Sequence, residues 1–306
     1  MTRLEILQLY ALPVVVGASL MEALVLHWRK PGTFDWHEAW LSLVDLAGRK
    51  ILVLLPLSLA APVFALAWEH RLQTIVLNSW LLGTALFIGQ EFCYYWYHRA
   101  AHRVRFFWAT HAVHHSPNQL TLSTAYRLGW TGKLTGTTLF FTPLVWLGFP
   151  PEVVIATLSL NLLYQFWIHA TWIPRLGWLE YVLNTPSAHR VHHAANIEYL
   201  DANFGGVLIV FDRLFGTYVA ERDDVPCRYG LVTPMRSRNP LRVEFQQWLD
   251  LGRDLAQARS LGAMLGFLFL PPGWRPDGQG HTTEALRRQL ALAGHLASEG
   301  SGTAPK

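Results

Sequence analysis

Nine of the chain's fourteen histidines lie between positions 98 and 193, and they fall into groups. His98 and His102 form H-x-x-x-H; His111, His114 and His115 form H-x-x-H-H; His189, His192 and His193 repeat that spacing; His169 stands alone between the last two groups. On an α-helix each residue advances about 100°, so positions three and four apart share a face. His98 and His102 can therefore converge on one metal. In each H-x-x-H-H the first histidine shares a face with both members of the final pair, whose rings splay by about 100° and can serve two metals. Neutral imidazole is the commonest protein ligand for first-row metals. Nine exceed the roughly four ligands that one tetrahedral zinc takes. The pattern predicts a binuclear centre. His169, taken alone, reads equally as a ligand or as a hydrogen-bonded core histidine. His27, His37, His70, His281 and His295 have no such spacing and read as ordinary interface or surface residues.

Composition places this centre at a membrane. The 306 residues are 51% hydrophobic and 15% charged, against about 25% charged in a soluble domain. Fourteen tryptophans and sixteen phenylalanines suit bilayer interfaces, where aromatic rings gather. A net charge of +4 without a basic, aromatic-interleaved run gives no reason to expect nucleic acid. Cys93 and Cys227 are far apart and no C-x-x-C occurs, which argues against a disulfide framework, thiolate zinc or an iron–sulfur cluster.

Five apolar segments stand out, at 6–26, 51–68, 74–97, 134–149 and 153–168. A crossing helix needs roughly 20 residues. The last two segments are short and meet at Pro150-Pro151, as in a shallow hairpin. The first is too long for a signal-peptide core, and Glu22 sits where a small-residue cleavage site would stand, so it reads as a retained transmembrane helix. Arg29, Lys30, Arg49 and Lys50 follow the first segment, and Arg99, Arg103, Arg105, Arg127 and Lys133 follow the third. The opposite side offers Arg3 and Arg71. The positive-inside rule then puts the histidines at the cytoplasmic face.

From Ile173 the chain turns polar. Residues 196–218 read as loop with short extended pieces, 226–240 as loop, 241–268 as one amphipathic helical region and 283–296 as a last surface helix. The expected fold is an all-α integral membrane protein with four or five transmembrane or re-entrant helices. A cytoplasmic helical cap would complete the His-rich di-metal site. The whole is expected to be a single domain over 1–297 (membrane helices with the first histidine groups to 172, cap with the last from 173), followed by a disordered tail at 298–306.

All-imidazole ligation suits iron, zinc, copper or nickel. A binuclear centre facing a bilayer suggests oxygen activation against an apolar substrate held by its own tail. The sequence H-R-A-A-H from His98, H-A-V-H-H from His111, H-R-V-H-H from His189, D-A-N-F-G from Asp201 and F-D-R-L-F-G-T-Y from Phe211 resembles the fatty acid hydroxylase (sterol desaturase) superfamily of membrane non-haem di-iron enzymes. E-F-C-Y-Y-W-Y-H from Glu91, N-L-L-Y-Q-F-W-I-H from Asn161 and L-N-T-P-S-A-H-R-V-H-H from Leu183 are similar to its ether-lipid branch. The match spans roughly 80–218. The resemblance implies that His98, His102, His111, His114, His115, His189, His192 and His193, with His169 as a ninth, bind two iron ions. It also implies O₂, a lipid substrate (an alkyl glyceryl ether in the closer branch) and an external electron donor, a tetrahydropterin in that branch.

Glu91 lies two helical turns before His98 on the same face. A carboxylate in an apolar helix is costly and usually functional. It reads as a catalytic group that orients a ligand histidine or delivers protons, or else as a partner of Arg99 or Arg127. Asp201 and Asn203 read as hydrogen-bond partners of ligand imidazoles or as loop-fixing turn residues. The aromatic run 94–97 reads as an interfacial belt in preference to a substrate cage. Two other functions stay open: desaturation or sterol methyl oxidation on the same site, and metal transport or sensing. A transporter would carry ionisable groups along the bilayer midplane, and the middles of the five segments are nearly free of them.

Overall fold

Helices make up the regular structure of the chain. A computed structural model describes residues 3–52, 54–55 and 57–300, with side chains over 10–52, 54–55 and 57–293. Among the described residues there is no strand, only two isolated antiparallel bridges, Leu183 with Leu208 and Ala194 with Tyr229.

Helix α1 (Arg3–Arg29) has 27 residues, a length of about 40 Å. Its stretch Tyr10–Arg29 is long and apolar enough to cross a membrane, and no other helix among the described residues meets that measure. Its buried Glu22 accepts hydrogen bonds from the Leu122 amide (2.7 Å) and the Trp172 indole (3.0 Å). Those bonds tie the end of α1 to the segments that follow His115 and His169.

Helix α2 (Trp36–Leu52) occupies a stretch expected to be connecting loop. Its apolar residues never form a long run, which is why a search for such runs passes over it. Its buried residues Leu41, Ser42 and Asp45 fall on one face, while Trp36, Trp40, Leu43 and Ile51 are exposed. From the buried face Asp45 accepts the Leu128 and Gly129 amides and Glu38 pairs with the buried Arg127 at 2.6 Å. Beyond Leu52, the described residues of segment 51–68 hold one helix, α3 (Ala60–Glu69), ten residues long.

Helix α4 (Trp80–Arg103) is capped by the Ser79 hydroxyl and carries His98 and His102 in its last two turns. Val104, with extended dihedrals (φ −121°, ψ 115°), closes α4 and opens α5 (Arg105–His115). This one-residue corner folds α5 back beside α4. Segment 134–149 is broken into α6 (Gly132–Thr135), a 3₁₀ turn (Thr137–Phe141) and α7 (Thr142–Leu147). Gly148 ends it at φ 118°, where a Cβ would lie 2.1 Å from the Gln73 carbonyl oxygen, so only glycine fits. Helix α8 (Pro151–Ile168) then returns to His169, with proline in its first turn as helix starts favour.

The polar half holds α9 (Pro186–His192), α10 (Val210–Leu214), α11 (Pro240–Gln257), α12 (Leu261–Phe269) and α13 (Thr283–Gly300). The expected helical region over 241–268 is made of two helices, because the chain is non-helical from Ala258 to Ser260, and the Ser260 hydroxyl then caps α12. The expected tail is helical through Gly300; its remainder, 301–306, lies outside the described residues. An apolar core of Phe64, Leu86, Cys93, Tyr94, Phe141, Leu144, Val145, Phe149 and Val154 fills the space between α3, α4, α7 and α8. The aromatic run is not a belt as a whole. Trp96 faces outward, whereas Tyr94 and Tyr95 are buried, with hydroxyls bonded to Gln165 and Thr217.

Candidate metal centre

All nine clustered histidines are buried, and they divide into two groups. His98, His102, His111, His115 and His192 form one; His114, His169, His189 and His193 form the other. Within each group the nearest ring nitrogens all lie within 4.8 Å of one another. Residues four apart stay together: 98 with 102, 111 with 115, 189 with 193. The third member of each triplet crosses over, His114 to the second group and His192 to the first. The adjacent rings are nearly perpendicular, 88° for His114 and His115 and 89° for His192 and His193. The helical advance of about 100° per residue accounts for this splay.

The contacts between rings are not a hydrogen-bond network. His111 Nε2 lies 3.0 Å from His98 Nε2 and 3.2 Å from His115 Nε2. His189 Nε2 lies 3.0 Å from His169 Nε2 and 3.1 Å from His193 Nε2. One imidazole nitrogen carries either one proton or one lone pair, so it cannot serve two such bonds. Ligands about 2.1 Å from a common metal stand roughly 3.0 Å apart at 90° and 3.4 Å apart at the tetrahedral angle. The observed spacings match two such polyhedra. His102 Nε2 and His192 Nε2 are buried without any hydrogen-bond partner, another mark of an atom meant for a metal. The donor set and its geometry fit two metal ions.

The outward nitrogens are held by protein, as ligating histidines require. His98 Nδ1 donates to the Phe204 carbonyl (2.8 Å), His192 Nδ1 to Ala202 (2.9 Å), His114 Nδ1 to Arg127 (3.0 Å) and His169 Nδ1 to Gln165 (2.7 Å). His102 Nδ1 lies 3.5 Å from Asp201 Oδ1. His189 Nδ1 is buried and has no partner. Burial holds His111, His115, His189, His192 and His193 well below the usual histidine range and His114 down to about 4. These rings are therefore neutral near pH 7, the form that binds metal.

The loop 201–208 is the keystone. Asp201 and Asn203 have left-handed backbones (φ 52° and 59°), rare for residues other than glycine. They flank Ala202 and precede Phe204, whose carbonyls hold His192 and His98. Asn203 touches no imidazole, contrary to one expectation. Its amide bonds the Ala188 and Val219 carbonyls and the Val219 N–H, fixing the loop to the residue before His189.

Glu91 also touches no histidine, and neither Arg99 nor Arg127. It accepts the Val207 and Leu208 amides, each at 2.8 Å, and the Asn161 amide. The direct histidine-orienting role is therefore corrected: Glu91 positions the loop. Behind Asn161, Gln165 continues the network to Tyr94. Gly206 packs on Asn161 so closely that a Cβ would sit 2.3 Å from its Nδ2.

Asp212 escapes a search for ligand spacing. Buried completely, it accepts the Phe204 and Gly205 amides and the Thr217 hydroxyl, each at 2.7 Å. Burial outweighs these bonds and pushes its carboxyl up to about 6. The signal in the sequence was an acid inside F-D-R-L-F-G-T-Y, visible as a motif and not as a contact.

A cavity of about 980 Å³ opens over the centre between α5, α11, the 230–237 loop and the 271–286 segment. It reaches His102, His115 and His192 of the first group and no histidine of the second. Of the other histidines, His281 stands on its wall.

Sequence comparison bears on this pair of buried histidine sets: residues 83–217 match the fatty acid hydroxylase family model. Over 271 residues, 87% of this chain, it is 37% identical to human alkylglycerol monooxygenase, covering 59% of that protein. It is 41% identical over 208 residues to the Xenopus tropicalis alkylglycerol monooxygenase, 68% of this chain and 46% of the relative. An ornithine lipid hydroxylase of Rhizobium tropici is 29% identical over 144 residues, 46% of this chain and 44% of its own length. The chain spans less than two thirds of the length of these relatives. No solved structure matches it significantly.

Proposed function

We propose that the chain is a membrane-embedded di-iron monooxygenase that hydroxylates the carbon next to the ether oxygen of an alkylglycerol. The observation that carries this reading is the pair of adjacent, buried, all-histidine groups whose Nε2 atoms converge at ligand spacing. The similarity to alkylglycerol monooxygenases supports the substrate class. In this reading all nine histidines hold metal, and Asp201, Asp212 and Glu91 act by positioning. Bound as a pair, ferrous ions supply the redox chemistry for inserting one oxygen atom of O₂ into a C–H bond. The balance is one C–H bond, O₂, two electrons and two protons, giving an alcohol and water. The product is a hemiacetal, which breaks to an aldehyde and a glycerol. The electrons come from an external donor, a tetrahydropterin in this reading.

The protein's own part is placement. The carbonyls of 202 and 204 lock His192 and His98 with Nε2 inward. The apolar core between α3, α4, α7 and α8 suits an apolar substrate chain. The backbone around the centre supports a bilayer placement. From Trp80 to His98, and from Pro151 to His169, each ascending helix spans 18 residues, about 27 Å, close to the hydrocarbon thickness of about 30 Å. Both end at the centre. Helices α1, α4 and α8 would cross, while α3 and the broken α6–α7 limb lead the chain back down. Outward-facing Tyr10, Trp28, Leu66, Trp80 and Leu160, each more than half exposed, suit lipid contact. The arginines and lysines flanking the histidine end set that end in the cytoplasm. Residues 1–297 act as one domain, with 173–297 as its cap.

Metal analysis and Mössbauer spectroscopy on iron-57 protein test this reading, together with product analysis on an alkylglycerol. Two coupled irons and an aldehyde product support it. One metal, or two zincs that iron cannot replace with gain of activity, overturns it.

A further inference from the structure

We infer that the cavity above the first histidine group is the docking port of the soluble electron donor, and that the lipid does not enter through it. The inference rests on the oxygenase reading and names the binding site of its reductant. The cavity walls come from α5, α11, the 230–237 loop and the 271–286 segment, and no residue of the apolar core between α3, α4, α7 and α8 lines it. In the proposed reading the lipid reaches the centre along that core instead. At about 980 Å³ the space lies at the upper end of small-molecule sites. Its floor is formed by His102, His115 and His192, so a bound donor stands against the first group directly.

The walls select for chemistry. The aspartates lining the cavity are already paired: Asp201 with Arg103, Asp254 with Arg105 and Arg275, and Asp250 with Arg253. Arg236 and Arg242 also line it, and neither has a carboxylate partner among the described residues; Arg242 donates only to Gln246. Two unpaired guanidinium groups favour electron-rich or anionic atoms and resist a second cation. Trp108 and Trp274 line the same space and provide aromatic faces. The ligand these features fit is a small, planar, reduced heterocycle of the tetrahydropterin class, which gives up two electrons and two protons as it becomes its quinonoid dihydro form. A long alkyl chain fits poorly, because charged and amide side chains recur around the walls.

The test uses iron-loaded protein in lipid nanodiscs under argon, with oxidised biopterin as a redox-inert probe read by quenching of tryptophan fluorescence. Saturable binding is expected. The double variant Arg236→Ala/Arg242→Ala should weaken it about tenfold, as loss of charge-assisted contacts does, with iron content unchanged. In turnover the same variant should raise the KM for the pterin by a similar factor and leave the KM for the alkylglycerol unchanged. A raised lipid KM with an unchanged pterin KM assigns the cavity to the lipid head group and overturns the inference. Equal pterin binding by the variant and the native chain overturns it too. Absence of iron or of turnover in the native chain would instead sink the oxygenase reading itself.

Discussion

The two histidine groups descend from the same sequence device and end unlike. Each receives an i, i+4 pair from one H-x-x-H-H and a single crossing ring from the other. They differ in what completes them. The first adds His98 and His102 from α4 and lies open to the polar cavity. The second adds only His169, at the end of α8, and meets no cavity residue. A repeated motif therefore produces two sites of unequal access, because the helices that finish them approach from different places.

The largest effects should come from the hub histidines. His111→Ala and His189→Ala each remove a ring whose Nε2 faces two others, so both variants should lose metal and turnover together. His115→Ala and His193→Ala should follow. Elemental analysis decides, and two irons retained in most of the four would contradict the assignment.

Unequal access has its own consequence. A water-soluble chelator should strip the first group rapidly and the second slowly, leaving close to one iron per chain at intermediate times. Loss of both irons at one rate would break the comparison.

Asp212 sharpens it further, because its loop holds His98 and His192 of the first group. Asp212→Ala should cost about 10- to 100-fold in metal affinity or activity, as the loss of partners behind ligands does. The spectroscopic change should fall on one iron of the pair. An equal change at both would mean that the loop acts on the whole centre.

Acid should act on the metal-free protein through rings such as His114, at about 4 when folded. An unfolded histidine takes its proton near 6.5. Between those values the unfolded chain binds more protons, so stability is lost as pH falls from about 6.5 to 4, by about 3 kcal/mol for this ring. Thermal unfolding across that range measures it, and a flat profile would contradict neutral burial. The smallest effect belongs to Glu284→Ala. It breaks a half-exposed pair with Arg103 that docks α13 onto α4 and should cost no more than about 1 kcal/mol in a denaturation curve.

Much of this was legible in residue order because helical periodicity is local. The i, i+4 spacing put His98 with His102 and His111 with His115, and the adjacent pairs had to diverge. Helices α1, α4 and α8 showed as apolar runs. Helix α2 did not, since its burial is confined to a stripe that packs on the 116–131 loop through Asp45 and Glu38. Segments 51–68 and 134–149 looked like helices of one piece. Their breaks, such as the left-handed turn at Gly148 against Gln73, depend on which backbone lies alongside.

Sequence alone determined the donor set, nine imidazoles at spacings that helices turn into faces. Tertiary structure decided how those donors were shared: which ring crosses to which group, and that the carbonyls of Ala202 and Phe204 hold the rings where Asn203 and Glu91 had been expected to. It also decided that one group opens to water. The reason is range. A helix sets the relation of residues a few positions apart, whereas hydrogen bonds such as Glu91 to Val207 or His98 to Phe204 join residues more than a hundred positions apart. Only the closed fold brings those partners together.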